Sequence, residues 1–461
     1  MADRSLVASR LGVASGTLAS RITGLVRLIV FAAVIGQTAL ADAFDVGNNA
    51  PNVIYELLLG GTLTATLVPL FVRQQQRNDR DGTAAVFGTS LLALVAVTLV
   101  AVAAAPVIFR LYALSPAGDA QLFRQVGTAL TQIFLIQIFF YGLNAITAGV
   151  LNANGKFLAA AWSPVAANLV AIVALWGVRA QTSTLANSGV NLADADFGST
   201  TFWWFSLGPT VGIATMALVV LAAAIRAGVL PAPRLAPRHP AVRELVRLSG
   251  WAIGYIAANQ LALIVVKNLA EPGSGRLDAY AKAMTIFQLP HGLLAVTIVT
   301  TTAPLLARAA AQHHQDEFRA LFARGARTTV ALTIVPSIVF AMFAKPLVQI
   351  LLGWGQFSDS AVDTTARALS GLSFGLVGFS LYLFVLRGFY SHGDTRTPFF
   401  INLGENVLNV VLALVLAPRF DVLGLGLSFA IAYLVSALVA VEVLHRAHQT
   451  PRLFGLLRTT K

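Results

Sequence analysis

The sequence predicts an all-α polytopic membrane protein of about twelve transmembrane helices, in two lobes of about six helices each related by a parallel pseudo-two-fold repeat. Three observations predict it. The 461 residues are 57% hydrophobic and 11% charged, with a mean hydropathy of +0.75, too little polar surface for a soluble chain of this length. The apolar runs are helix-length rather than short alternating strands, and an open sheet cannot satisfy its backbone in lipid. Basic residues gather at alternate boundaries between the runs.

At about 20 apolar residues per span, the expected helices are 11–36, 46–72, 84–109, 126–152, 158–178, 201–225, 246–270, 280–307, 327–352, 368–391, 398–417 and 422–445. Polar punctuation bounds each in turn. The first follows "MADRS", the second stops at Arg73, and the third starts after "RNDRD". Arg124 precedes the fourth, Lys156 the fifth, and Arg226 closes the sixth. The seventh ends at "EPGSG", the eighth closes at Arg308, and the ninth lies between Arg327 and Gly353. The tenth ends before "SHGDTR", the eleventh lies between Pro398 and Pro418, and the twelfth closes at Arg446. "MADRSLVASRLGVASG" lacks the short apolar core and cleavage site of a signal peptide, so it is expected to begin the first span.

With the N-terminus cytoplasmic, the inner loops 73–83, 153–157, 226–245, 308–326 and 392–397 carry most of the arginines, whereas loop 37–45 ("QTALADAFD") carries acids and no base. Both termini are therefore expected inside. The net charge of +12 is read as topological, and no nucleic-acid partner is expected. The absence of cysteine excludes disulfides and thiolate metal sites. The proline-rich basic stretch 227–245 is the expected linker between a first lobe, 1–226, and a second, 246–446, with a basic tail at 447–461.

The lobes carry traces of a duplication. "TLVPLFVR" (66–73) and "TTAPLLAR" (301–308) share Thr-x-x-Pro-x-x-x-Arg at a displacement of about 235 residues. "NGKFLAAAWSPVAAN" (154–168) and "HGDTRTPFFINLGEN" (392–406) both place Asn thirteen residues after Gly, displaced by about 238. An even number of spans per copy gives both copies one orientation, an arrangement found in alternating-access transporters.

Enzymatic signatures do not survive their context. "GLSFG" (371–375) has the nucleophile-elbow spacing but no preceding strand, and its glycines, with Gly208 and Gly212, better suit close helix packing. His313 and His314 are adjacent and point apart on a helix, so no metal site is assigned. Arg21 and Arg27 are different. They lie about 15 Å and 14 Å from the two ends of the first span at 1.5 Å per residue. That is too deep to snorkel, and each costs at least about 2.5 kcal/mol in hydrocarbon. On a straight helix they point about 120° apart, and Gly24 between them is the expected hinge that aims both into one wet cavity. Neutralisation by Asp42, Asp45 or Glu56 is the alternative. Two converging guanidiniums suit a phosphate or pyrophosphate. Lys282 is either a third cation there or a residue snorkelling at a span end. Asn402 and Asn406, like Glu405 and Asn409, share a helix face. A carboxylate among amides is a candidate for Na⁺ or H⁺ coupling, against plain helix–helix hydrogen bonding.

With these residues in view, the sequence resembles the MurJ/MviN family of lipid II flippases in the MOP exporter superfamily. "ASRITGLVR" is similar to its first-helix pattern of two arginines flanking a glycine, and "ADAFDVGNNAPN" (41–52) to its Asp-Ala-Phe…Pro-Asn stretch. "QLPHGLLAVTIVTTTAPLLAR" (288–308) and "RGFYSHGDTRTP" (387–398) resemble further family segments. The resemblance implies export of an undecaprenyl-diphosphate-linked peptidoglycan precursor across the bacterial cytoplasmic membrane, through two lobes flanking a cationic cavity. Arg21 and Arg27 would contact the diphosphate, and Asp42 and Asn52 fall at matching positions. The cavity arginine often found three residues after Pro-Asn is Tyr55 here, a later acidic position is Gly60, and the eighth-helix Asp-Arg…Glu pattern is not kept. Many members also carry two further C-terminal helices. These departures leave open another polyprenyl-diphosphate-linked glycan.

The expected function is thus an alternating-access flippase, not an enzyme, with no cofactor other than Na⁺ or H⁺ as coupling ion. Its expected partners are the lipid-linked anion and membrane lipids, with cell-wall synthesis proteins as candidates. A multidrug exporter of the same superfamily predicts cavity acids instead of Arg21 and Arg27. A non-transporting scaffold predicts long soluble loops, and the segment 179–200 is short for that.

Overall fold

Hydrocarbon surroundings turn a helix's polarity inside out, and the helix Arg396–Phe420 shows it: Asn402, Glu405, Asn406 and Asn409 are buried, whereas Phe400, Leu403, Val407, Val411 and Leu414 are exposed. The structure is a computed structural model that describes residues 2–59, 70–74, 76–77, 79–182, 189–448 and 450–451, with the side chains of 2–10, 53–59 and 244–256 excepted. Among the described residues there is no strand. Nine described helices are long and apolar enough to cross a bilayer, or ten when the bent pair Asp359–Ser373 and Leu376–Ser391 counts as one span. The expected second span, 46–72, runs into residues 60–69, which lie outside the described residues, as does most of the tail 447–461.

The chain forms two compact units. The first comprises Met1–Ile256 with two short returns of the later chain, Pro272–Gly275 and Trp354–Ser358. It holds α1 (Ala2–Ile35), α2 (Ala39–Leu59), α3 (Arg80–Ala103), α4 (Ala105–Tyr112), α5 (Ala120–Leu135), α6 (Gln137–Ala153), α7 (Leu158–Gln181), α8 (Thr200–Arg226) and the start of α9 (Pro240–Leu269). Carboxylates and a hydroxyl start several of these: Asp79 Oδ1 accepts from Gly82 N at 2.7 Å, and Ser199 Oγ accepts from Phe202 N at 3.0 Å. The second unit holds the end of α9, α10 (Arg276–Pro290), a π-helical turn His291–Ala295, α11 (Val296–Ala311), α12 (Gln315–Leu352), α13 (Asp359–Ser373), α14 (Leu376–Ser391), α15 (Arg396–Phe420) and α16 (Val422–His448).

The two units repeat one packing order, as the sequence traces predict. In the first, α7 packs on α8, α6 on α8, α3 on α6, and α2 on α5. In the second, α15 packs on α16, α14 on α16, α12 on α13 and α14, and α10 on α13. The fourth helix of each copy is broken, at Ile136 in one and at Phe374–Gly375 in the other, where the bend is 49°. The carbonyls freed there find hydroxyls: Thr210 Oγ1 donates to Ile133 O at 3.3 Å, and Ser337 Oγ to Ser373 O at 2.5 Å. The glycines singled out for packing do pack closely. A Cβ on Gly371, Gly375 or Gly378 would meet backbone of α16 at 2.6–2.8 Å, and one on Gly212 would meet Ala167 O at 2.8 Å. In α12, Phe343 leaves helical geometry (φ −122°) because Pro346 cannot continue the ladder.

Candidate functional site

The first helix carries the site. α1 packs on α7, and Asn168 of α7 fixes the contact: its Nδ2 donates to Ser20 O at 3.2 Å and Thr23 Oγ1 at 3.0 Å. Gly24 lies opposite the same amide, and α1 runs through it as continuous helix, so Gly24 serves here as a packing position. Arg27, one turn beyond Thr23 and Gly24, shares that side of the helix. It is exposed, Arg21 is half-buried, and Tyr141 of α6 lies within electrostatic reach of Arg27. Beyond Arg27 the helix closes up, from Phe31 at 9% exposure to Ala32 and Ile35 at 0%. Phe31 sits 4.8 Å from Phe44, which packs on Phe205 and Phe134 at 5.0 and 5.3 Å. Arg27 therefore stands one turn before a cluster of packed aromatic rings, and Arg21 further back along the same helix.

Among the described residues, neither Arg21 nor Arg27 has a carboxylate partner. Asp42 is committed elsewhere, and the Glu56 side chain lies outside the described residues. Two cations on a membrane-spanning helix without a carboxylate partner among the described residues invite an anion.

Asp42 itself is fully buried in the first turn of α2. Its Oδ2 accepts from Gly273 N and Gly275 N, both at 2.8 Å. Positive φ angles of 95° and 81° at these glycines turn both N–H groups toward one oxygen. In this conformation Asp42 docks the 272–275 loop and is closed to a ligand, which corrects the expectation of substrate contact. The second returning loop docks similarly: Gln356 N donates to Ala33 O at 2.9 Å, and its Oε1 accepts from Gly189 N at 3.1 Å. Asn52 is half-buried, with Nδ2 reaching Asn48 O at 3.5 Å.

Lys282 departs from both of its expected roles. It is 2% exposed and pairs with Asp278, also 2% exposed, one turn earlier on α10. Burial without a counter-charge would be prohibitive, so the ammonium takes the nearest carboxylate and its charge is cancelled. The i, i+4 spacing in "DAYAK" was the signal for Asp278, which the sequence reading passed over.

The polar stripe of α15 faces inward as its spacing predicts. Asn259 Oδ1 accepts from Asn402 Nδ2 at 3.1 Å and Asn406 Nδ2 at 2.7 Å. Asn168 and Asn406, matched by the sequence repeat, thus do the same work in the two units, each tying its helix to the first helix of its copy. Glu405 is 2% exposed with no salt bridge among the described residues, and Asn402 Oδ1 and Asn409 Oδ1 are buried without a hydrogen-bond donor. Arg21 and Arg27 have no counterpart in the second unit, where Asn259 stands about 235 residues after Gly24.

Comparison with known proteins bears on this geometry. The sequence profile of a family described as "Lipid II flippase MurJ" matches residues 31–460. A "Probable lipid II flippase MurJ" from Rhizobium meliloti is 29% identical over 95% of this chain and 81% of its own length. The "Lipid II flippase MurJ" of Burkholderia cenocepacia is 28% identical over 94% and 83%. Among solved structures, a lipid II flippase MurJ in an inward closed conformation has a TM-score of 0.77 at 18% identity, over 96% of this chain and 89% of that one. An inward-facing MATE family multidrug transporter of the MOP superfamily has a TM-score of 0.76 at 14% identity, over 93% and 94%. These two show the fold.

Proposed function

The chain belongs to the lipid II flippase MurJ family, and on that premise we propose that it moves lipid II across the bacterial cytoplasmic membrane as a transporter without enzymatic activity. Arg21 and Arg27 carry the reading: on the first membrane-spanning helix, exposed or half-exposed, and without a carboxylate partner among the described residues. A diphosphate offers oxyanions to both guanidiniums, each able to donate paired hydrogen bonds. That contact offsets the desolvation that otherwise keeps a charged headgroup out of the membrane. With a membrane potential negative inside, outward movement of the anion gains about 2.3 kcal/mol per charge per 100 mV. The multidrug reading, which the shared fold with MATE transporters keeps in view, asks for acids where this helix has arginines.

Glu405, with the open oxygens of Asn402 and Asn409, is the proposed place for a coupling Na⁺ or H⁺, because a buried carboxylate in a transport helix is costly unless it takes up a cation. Reconstituted protein should flip fluorescent lipid II in liposomes, and Arg27→Ala should reduce the rate by about tenfold or more, the loss of one charge-assisted contact. Normal flipping by Arg27→Ala would overturn the site, and drug efflux without flipping would overturn the substrate.

A further inference from the structure

Membrane helices bury polar side chains and expose apolar ones, as α15 does, and α8 follows the same rule by exposing Trp203, Trp204, Leu207 and Val211. α5, which packs on α8 and opens the span Ala120–Ala153, does the reverse. It buries Phe123, Val126, Leu130 and Phe134, and its three exposed residues, Gln121, Gln125 and Gln132, are all glutamines. With half-buried Thr128 they stand at i, i+4, i+7 and i+11, within about 60° of one another on a helix of 3.6 residues per turn. Among the described residues, no hydrogen bond engages the side chains of Gln125, Thr128 or Gln132.

The depth of this stripe follows from α8. Thr210 Oγ1 donates to Ile133 O at 3.3 Å, so Gln132 lies level with Thr210. Trp203 and Trp204, exposed as in an interfacial aromatic belt, stand about 10 Å along α8 from that level at 1.5 Å per residue. Gln132 thus sits below the headgroup boundary, where an amide facing hydrocarbon would have no partner. A wet surface resolves this, and a groove of about 620 Å³ runs along the stripe, with Arg124, Gln125, Thr128, Gln132, Asp196 and Phe197 in its wall. That volume is within the range of small-molecule sites.

The second unit carries the same inversion on the helix that the repeat matches to α5. The exposed residues of α13 are Asp359, Ser360, Asp363 and Arg367. Asp359 and Asp363 follow Gln121 and Gln125 at the repeat's displacement of about 238 residues. There the charges are engaged: Lys345 pairs with Asp363 at 2.7 Å, and Arg367 Nη2 reaches Phe420 O at 3.5 Å. The stripe of α5 differs in being built of uncharged amides.

We propose that the groove on α5 is a saccharide subsite at the end of the span expected outside, taking the hydroxyl- and amide-bearing part of the cargo's headgroup. Each glutamine amide donates and accepts at once, which matches hydroxyl and N-acetyl groups that do both. Arg124 and Asp196 bring opposite charges, and Arg124 Nη2 already donates to Leu114 O at 2.9 Å, so the groove has no surplus cation to attract a bare anion. Phe197, 65% exposed, offers an aromatic face to the apolar side of a sugar ring. On the reading of the chain as a lipid II flippase, on which this subsite rests, the headgroup is tethered by its lipid. It meets the groove at an effective concentration of about millimolar order, so an affinity of that order suffices.

The chain contains no cysteine, so single introduced cysteines report on the groove without a background. In right-side-out membrane vesicles, a membrane-impermeant maleimide should label Gln125→Cys and Gln132→Cys at least about tenfold faster than Val211→Cys, whose position faces lipid. N,N′-diacetylchitobiose at about 10 mM, twice a dissociation constant of about 5 mM, should slow labelling of both about threefold. Sodium pyrophosphate at the same concentration should leave the rates within about 1.5-fold. In nanodiscs, Gln125→Leu combined with Gln132→Leu should lower the affinity for lipid II relative to undecaprenyl diphosphate by about fivefold or more. Protection by the saccharide in a protein that does not flip lipid II would support the subsite and overturn only the cargo. Labelling of Gln132→Cys no faster than Val211→Cys, undiminished by chitobiose, or slowed as much by pyrophosphate would overturn the subsite. So would an unchanged affinity ratio in a protein that does flip lipid II.

Discussion

Replacing Asp42 with alanine deprives the Gly273 and Gly275 N–H groups of a shared acceptor. Both bonds are 2.8 Å long, run to a charged oxygen, and belong to a residue with no solvent exposure. Hydrogen bonds to charged groups each contribute about 1.5–3 kcal/mol, so the two together hold the loop by about 3–6 kcal/mol. At about 1.4 kcal/mol per tenfold, amide exchange at Gly273 and Gly275 through local opening should quicken by about 10² to 10⁴ in Asp42→Ala. Asp42→Asn keeps an acceptor oxygen and loses the charge, so its increase should stay within about tenfold to a hundredfold. Residue-resolved hydrogen exchange in nanodiscs reads both. The amides of Gln121 and Leu122, capped by Asp119, should be unchanged and serve as the internal control. If Gly273 and Gly275 exchange at the wild-type rate in Asp42→Ala, the carboxylate does not hold the loop and the docking role is wrong.

Two further outcomes follow from the same kind of reasoning. Removing either member of the buried Asp278–Lys282 pair strands a charge, so Lys282→Ala should lower stability by about 3–5 kcal/mol, whereas replacing both with leucine should be nearly neutral; thermal unfolding in detergent distinguishes the two. Asp394, between α14 and α15, sits below the usual carboxylate range: partial desolvation raises it, but hydrogen bonds from the Thr397 side chain and from the N–H groups of Thr397 and Arg396 more than offset that. Because the folded value is depressed, its stabilisation of the α15 start is present above the unfolded carboxylate value of about 3.9. It is lost as pH falls through the folded value, so exchange at residues 396–398 should quicken only below about pH 4, and Asp394→Asn should abolish that acid dependence.

Much of this architecture was legible in the sequence, for physical reasons that differ residue by residue. Apolar length locates nine of the expected spans among the described helices, or ten with the bent pair, because lipid leaves the backbone no other solution. The polar stripe of α15 and the asparagines Asn168 and Asn406 were readable because helix periodicity and a displaced repeat are both local patterns. Asp42's acceptor role was not, since its donors lie more than 200 residues away and are backbone groups that no side-chain type announces. The break at Ile136 carries neither proline nor glycine at the break itself, so it surfaces only beside its repeat at Phe374–Gly375. The place of Lys282 is legible only together with Asp278 one turn back, because the pair and not the lone charge decides where the ammonium can be buried.

The central claim is that the first helix offers two guanidiniums to a diphosphate, and binding measures this most directly. In nanodiscs, the affinity of undecaprenyl diphosphate should be compared among wild type, Arg21→Ala, Arg27→Ala and the double variant. Each single substitution should weaken binding by about tenfold to a hundredfold, and the double by more than either, with wild-type affinity falling as salt rises. Equal affinity in wild type and the double variant would contradict the account.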